Sequence, residues 1–300
     1  MVCASRDLRR GRVMRFDLGG NAVVIFRGQS GGVNALPGHC EHQGVDLSHG
    51  SVAGDVLRCP LHHWEYTNRC VRIPGAARAP RSIARYHAAE RFGMIFIHLG
   101  GSPSSSIPGF TVDDEQLHFR AGKPVEIACP WYVPVANAFD MGHLTTVHRR
   151  ALTSDPDISY PDARTFFVQY TTTVTGSGWS DSIMRALSGN DIRVRVTCSG
   201  GALIMVESTI RKWRGYLMVC LRPTAKGVSI LPIFGVPRRR LHRLHARVAG
   251  TLFTAFLARD VEALSGIRFP DGFLDNQDAT INACYRYLCE LPEYDCEENS

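Results

Sequence analysis

The sequence predicts an α+β protein of two domains: a small all-β domain, then a larger one in which an antiparallel sheet is closed by C-terminal helices. Three observations lead there. Up to about Gly100 the chain runs in short apolar stretches broken by Gly and Pro. Gly100 to Gly109 then reads Gly-Gly-Ser-Pro-Ser-Ser-Ser-Ile-Pro-Gly, a linker composition. Beyond it, longer alternating runs give way to helical spacing. With 300 residues, 44% of them hydrophobic and 21% charged, the chain is long and apolar enough for two cores.

In the first domain, residues 1–107 with the linker, the spacing predicts strands at Ala22–Arg27, Gly32–Leu36, Val56–Cys59, Cys70–Ile73 and Gly93–Leu99. The second domain, 108–300, opens on a helical stretch from Tyr132 to Arg150. Alternating segments at Thr165–Thr175, Ile192–Cys198, Leu203–Arg211, Gly215–Leu221 and Gly227–Phe234 read as strands of one sheet. Helices over Arg239–Gly266 and Asn276–Glu290 close the chain. No internal repeat is present.

Several function classes recede on composition. Residues 1–7 carry no apolar h-region, and the longest apolar stretch, Val248 to Ala258, is too short to span a bilayer. The ten cysteines show no disulfide framework and read as reduced, so a cytoplasmic location is expected. The formal charge of +6 is mild. The dense basic run from Arg238 to Arg247 reads as the solvated face of a helix, and it lacks the aromatic interleaving of single-strand binders. Neither nucleic acid nor membrane is an expected partner. No G-x-G-x-x-G follows a strand, so a nicotinamide cofactor would have to act through another polypeptide.

Chemistry concentrates in two places. Cys40-Glu41-His42 and, sixteen residues on, Cys59-Pro60-Leu61-His62 form the pattern C-x-H … C-x-x-H. Two thiolates and two imidazoles suit a tetrahedral zinc or a two-iron, two-sulfide cluster with Cys on one iron and His on the other. Both segments are Gly- or Pro-bearing loops able to aim backbone N–H groups at cluster sulfurs, whereas a zinc finger more often pairs C-x2-C with H-x3-H. His63 is the neighbour most easily mistaken for a ligand.

The second place is Asn137-Ala138-Phe139-Asp140-Met141-Gly142-His143-Leu144-Thr145-Thr146-Val147-His148, a D-x-x-H-x4-H pattern. Two His residues with a carboxylate suit the facial triad of non-haem Fe(II) oxygenases, which leaves one face open for O₂. The bland alternative is a pair of capping or core histidines. Five residues apart, His143 and His148 point about 140° apart on a regular helix. Both face one metal only if the helix ends, bulges or widens between them.

Taken together, these residues resemble the Rieske-type non-haem iron oxygenases, the family of ring-hydroxylating oxygenase α-subunits and related terminal oxygenases. The resemblance extends to Gly44, Leu47, Gly50, Gly54, Trp64-Glu65-Tyr66 and Ile73-Pro74-Gly75; it departs at His63, where the family usually has Gly. It implies a Rieske domain whose [2Fe-2S] cluster is held by Cys40, His42, Cys59 and His62, then a helix-grip catalytic domain with Fe(II) on His143 and His148. The third ligand implied is Asp278, with Asp275 the competing candidate and otherwise the helix N-cap. Asn137 is implied beside the iron, and Asp140 as a bridge to a cluster His of a neighbouring subunit in a homotrimer.

The function implied is that of a terminal monooxygenase. It would take O₂ and electrons from NAD(P)H through a separate flavin/iron–sulfur reductase or ferredoxin, and hydroxylate or oxidatively dealkylate a small organic substrate. Desaturation, oxidative cyclisation or N-oxidation by the same centres is the alternative; a zinc-stabilised or electron-carrying binding protein is the alternative of another class. Candidate pocket residues are Phe139, Leu144, Phe166, Val168, Met205, Val206, Met218 and Ile233.

Overall fold

A computed structural model describes residues 1–18, 20–67, 69–75, 79–83, 86–99, 103, 106–189, 191–211, 213–224, 226–267 and 278–291. The backbone divides into two compact units that part between Ile107 and Pro108.

The first unit holds strands β1 (Cys3–Ala4), β2 (Val13–Leu18), β3 (Asn21–Arg27), β4 (Val33–Pro37), β5 (Ser51–Ala53) and β6 (Val56–Arg58). They are followed by β7 (Glu65–Tyr66), β8 (Cys70–Arg72), β9 (Arg81–Ser82), β10 (His87–Arg91) and β11 (Met94–His98). Three antiparallel sheets result, in orders β1-β11-β10, β2-β3-β4 and β5-β6-β7-β8-β9. β3 shows why. Successive strand side chains point to opposite faces, so Val24 and Phe26 enter one core with Leu36, Leu57 and Tyr66, while Val23 and Ile25 enter another with Leu8, Ala35 and Ile95. Two loops leave the first core, 38–50 after β4 and 59–64 after β6. Gly50 lets them approach, since a Cβ there would lie 2.5 Å from the Arg58 carbonyl oxygen.

The second unit holds β12 (Leu117–Ala121), β13 (Val125–Ile127), α1 (Tyr132–Asn137), α2 (Met141–Thr146), β14 (Arg150–Leu152), β15 (Asp157–Asp162) and β16 (Thr165–Val174). After these come α3 (Trp179–Ser188), β17 (Ile192–Ser199), β18 (Leu203–Ile210), β19 (Trp213–Thr224), β20 (Gly227–Pro237), α4 (His242–Leu264) and α5 (Ala279–Glu290). One antiparallel nine-stranded sheet runs β12-β20-β19-β18-β17-β16-β14, with β13 also on β20 and β15 also on β16. The 23-residue α4 lies along β20, β12 and β13, and α5 along α1 and β16. This is the α+β helix-grip arrangement expected from the sequence.

The single helix expected over Tyr132–Arg150 is two. Asp140 turns extended (φ −84°, ψ 105°), and its carboxylate accepts the His143 N–H, capping α2 rather than continuing α1. α2 then ends at Thr146, and Arg149 takes φ 53° before Arg150 enters β14. Strands β12 to β15 and helix α3 had no counterpart among the expected elements. All four strands pair with the longer β16 or β20 and draw their order from them, and α3 leaves Trp179 and Ile183 exposed.

Candidate metal centres

The two loops of the first unit bring two thiols and two imidazoles together. Nδ1 of His42 and Nδ1 of His62 lie 3.1 Å apart. The His42 ring stacks on Trp64 at 4.7 Å, which fixes its plane. Cys40 and Cys59 are buried, unbonded as a disulfide, and within hydrogen-bonding reach of each other. Burial pushes the Cys59 thiol up, while backbone N–H groups of Leu61 and His62 aimed at its sulfur pull it down. The Tyr66 hydroxyl lies 3.0 Å from Cys40 Sγ and also accepts the Glu41 N–H at 3.2 Å. Paired ring nitrogens, paired thiols and N–H groups directed at sulfur suit a cluster with His on one iron and Cys on the other. His63 takes φ 57°, so the position needs a left-handed residue and His tolerates it at some cost.

In the second unit three ligand atoms converge. Asp260 Oδ1 is 2.8 Å from Nε2 of His143 and 2.8 Å from Nε2 of His148, and the two nitrogens are 3.1 Å apart. Adjacent ligands of an octahedral ion with bonds of ~2.1 Å stand about 3.0 Å apart, so the three atoms match one face of such a site. Burial lowers the His148 pKa, favouring the neutral, lone-pair-bearing imidazole. Burial works against the Asp260 carboxylate, but the two imidazoles more than offset it and hold the group below its ordinary value. The donor set is therefore two imidazole nitrogens and one carboxylate oxygen.

Local structure explains the convergence. Because α2 stops at Thr146, Val147 and His148 both donate their N–H to the His143 carbonyl, at 2.9 and 3.4 Å, and this widened turn swings His148 round to the side of His143. The His148 ring lies flat on Phe256 of α4, at 3.5 Å between centroids and 4° between planes.

The carboxylate at this centre is not the one expected from the sequence. Asp278 is the N-cap of α5, accepting from the N–H groups of Thr280 (2.9 Å) and Ile281 (3.2 Å), and it also accepts from Met141 N–H at 3.1 Å. Its oxygens serve helix ends, and its place at the imidazole pair is taken by Asp260. Asp275 lies outside the described residues. Asp260 left one sequence signal: with Phe253, Phe256, Leu257 and Leu264 it occupies the apolar stripe of α4, where an unpaired Asp is costly. Asn137 donates to Asp260 Oδ1 at 3.4 Å, and Asp140 sits at the start of α2 on the His143 N–H, at 2.7 Å.

Residues 1–87 match the Rieske [2Fe-2S] domain family. The first unit belongs to the Rieske [2Fe-2S] domain family. Among curated relatives, cholesterol 7-desaturase nvd of Bombyx mori is 29% identical over 167 residues, covering 53% of this chain and 37% of that one. The chain thus spans well under two thirds of that relative. Aminopyrrolnitrin oxygenase PrnD of Pseudomonas fluorescens is 26% identical over 298 residues, covering 84% of this chain and 79% of that one. Among solved structures, NdmA of Pseudomonas putida CBB5 with caffeine superposes with a TM-score of 0.71 at 18% identity, over 95% of this chain and 87% of that one. At that identity the last match speaks for the fold.

In the second unit, outside the matched Rieske domain, a cavity of about 500 Å³ opens between the sheet and α4, with His143, His148 and Asp260 among its lining. Its sheet wall is largely apolar. Val206, Leu217 and Phe234, in register on β18, β19 and β20, line it. Of the residues expected there, Leu144 and Val206 do line it. Met205, Met218 and Ile233 are also in register on those three strands, but at the alternate positions, so they face the other way. Phe139, Phe166 and Val168 belong to the core that packs on Tyr287 and Cys284 of α5. Sequence reasoning also passed over Asp181, which is 1% exposed. It accepts from Arg150 at 3.0 Å and Arg259 at 3.2 Å. Arg150 in turn donates to the His148 carbonyl at 3.2 Å, and Arg259 precedes Asp260, so this one carboxylate braces the backbone of two of the three converging residues.

Proposed function

We propose that this chain is the terminal oxygenase of a multicomponent monooxygenase, which hydroxylates or oxidatively dealkylates a small, predominantly apolar organic molecule. One observation carries the reading: two imidazoles and a carboxylate meet at 2.8–3.1 Å on the wall of an apolar cavity, in a chain whose other unit is a Rieske domain. Cys40, His42, Cys59 and His62 would hold the cluster, and His143, His148 and Asp260 a mononuclear Fe(II). When bound, the two groups supply one-electron transfer and O₂ activation respectively.

The protein's own contribution is positional. His143, His148 and Asp260 all line the cavity, so a metal they held would lie on its wall. The apolar walls exclude water from the reacting C–H bond and hold the substrate by contact rather than by charge. Asn137, on Asp260 Oδ1, keeps that carboxylate from rotating. Electrons come from NAD(P)H through a separate flavin/iron–sulfur reductase or ferredoxin. Asp140, fixed beside His143, bridges to the cluster His of a neighbouring copy in a head-to-tail homotrimer. The reading places the chain in the cytoplasm, where thiols stay reduced.

The test is turnover of apolar candidates with a surrogate reductase, NADH and isotopically labelled O₂. The proposal requires one labelled atom in the organic product and the other in water. A second reading, desaturation, is favoured by the match to a protein named as a desaturase. It predicts an unlabelled alkene with both atoms in water.

A further inference from the structure

We infer that the mouth of this cavity docks on an anionic lipid bilayer, so that an apolar substrate passes from lipid into the cavity without crossing water. The inference rests on the cavity being the substrate site.

The mouth has an unusual surface. Leu241, Leu244 and Val248 are 62%, 52% and 46% exposed, and Trp213 at the start of β19 is 52% exposed. Leu244, Val248 and Trp213 line the cavity, and Trp213 meets His245 edge-to-face at 4.8 Å. Leu241 stands just before α4 with φ 68°, a conformation a bulky residue adopts only under constraint, and it is the most exposed of the four. Large apolar side chains clustered at an opening mark a surface that leaves water in use.

The apolar track continues inward. Leu244, Val248, Leu252 and Phe256 recur every fourth residue along α4, so they share one helix face, and all four line the cavity. The last is the ring stacked under His148. One helix face therefore leads from solvent to the converging ligands.

Charge selects the occupant. Arg239, Arg240, Arg243 and Arg247 surround the exposed leucines, are themselves exposed, and form no ion pair among the described residues. No acidic residue occurs between Arg238 and Arg259. A basic N-terminal stretch of helix with projecting Leu and Val and an adjacent Trp has the composition of an interfacial membrane helix. An acidic redox protein would meet the arginines and leave the leucines unexplained. From sequence alone the basic run reads as a solvated face, because nothing in it shows that its leucines project at a cavity mouth.

Cosedimentation of the full chain with vesicles tests this. Binding is expected to equimolar phosphatidylglycerol–phosphatidylcholine vesicles and not to pure phosphatidylcholine, and to weaken as salt rises from roughly 0.1 M to 1 M. Each arginine neutralised removes about fivefold in partitioning. The double variant Arg240→Ala, Arg243→Ala should then bind roughly 25-fold more weakly, and Leu241→Glu should not bind. Both variants should keep the wild-type thermal midpoint of the second unit, which reports its folding. Three results overturn the inference: no vesicle binding by the wild type, equal binding to both lipid mixtures, or a change in assembly mass on Leu241→Glu, which would make this face a contact between copies. Each is separable from failure of the oxygenase reading, since turnover of a dissolved substrate does not depend on vesicles.

Discussion

The imidazole of His148 and the phenyl ring of Phe256 lie face to face, 3.5 Å apart and within 4° of parallel. The contact joins the end of α2 to α4 at the point where both supply a converging ligand atom. It restricts the ring plane of His148 on one side, while the widened turn restricts its backbone on the other. Phe256→Ala should cost about 2 kcal/mol for a half-buried ring and leave the imidazole free to rotate. Thermal unfolding and iron analysis should show a lower midpoint and a reduced mononuclear iron content, with the cluster absorption intact.

Asp260 and Asp278 separate cleanly by substitution. Asp260→Ala removes the anionic member of the converging set and should abolish mononuclear iron binding and turnover. Asp278→Ala removes a helix cap and should cost about 1 kcal/mol of stability while iron is retained. Iron content of the two variants is the deciding measurement. Loss of mononuclear iron in Asp278→Ala with retention in Asp260→Ala would reverse the assignment.

Asp181 should govern the acid limb of stability. Burial raises its pKa, but the Arg150 and Arg259 guanidiniums outweigh this and hold the carboxyl below its ordinary value of 3.8. A depressed folded pKa contributes stability that is fully present above the unfolded value and is lost as pH falls through the folded one. Wild-type unfolding should therefore steepen below about pH 4, and Asp181→Asn should flatten that limb. The same change strands Arg150 and should cost about 3 kcal/mol at neutral pH.

Much of both candidate centres was legible because the side chains proposed to form them are local. Cys40 with His42, and Cys59 with His62, fall inside loops whose Gly and Pro residues are visible in the sequence, and the order of sheet and closing helices followed from apolar alternation. The imidazole pair was legible too, together with the break that its five-residue spacing demands. The converging carboxylate was not. Asp260 joins the histidines across more than a hundred residues, and in the sequence it is one acidic residue inside a helix, whereas Asp278 at a helix start looks more conspicuous for the ordinary reason that it is a cap. The cavity wall failed similarly. Alternation divides β18 to β20 into two faces without saying which is concave, and Met205, Met218 and Ile233 were assigned to the wrong one.

Tyr66 donates to or accepts from Cys40 Sγ at 3.0 Å. Hydrogen bonds to cluster sulfur stabilise the reduced, more negative state. Tyr66→Phe should shift the cluster potential in the negative direction while leaving the cluster assembled, and protein-film voltammetry reads the shift directly.

The most direct measurement is a count of iron and acid-labile sulfide in anaerobically purified wild type and Asp260→Ala. Three irons and two sulfides per wild-type chain, falling to two and two in the variant, are predicted from a [2Fe-2S] cluster beside one iron at His143, His148 and Asp260. Zinc without sulfide, or two irons in both proteins, would contradict the account.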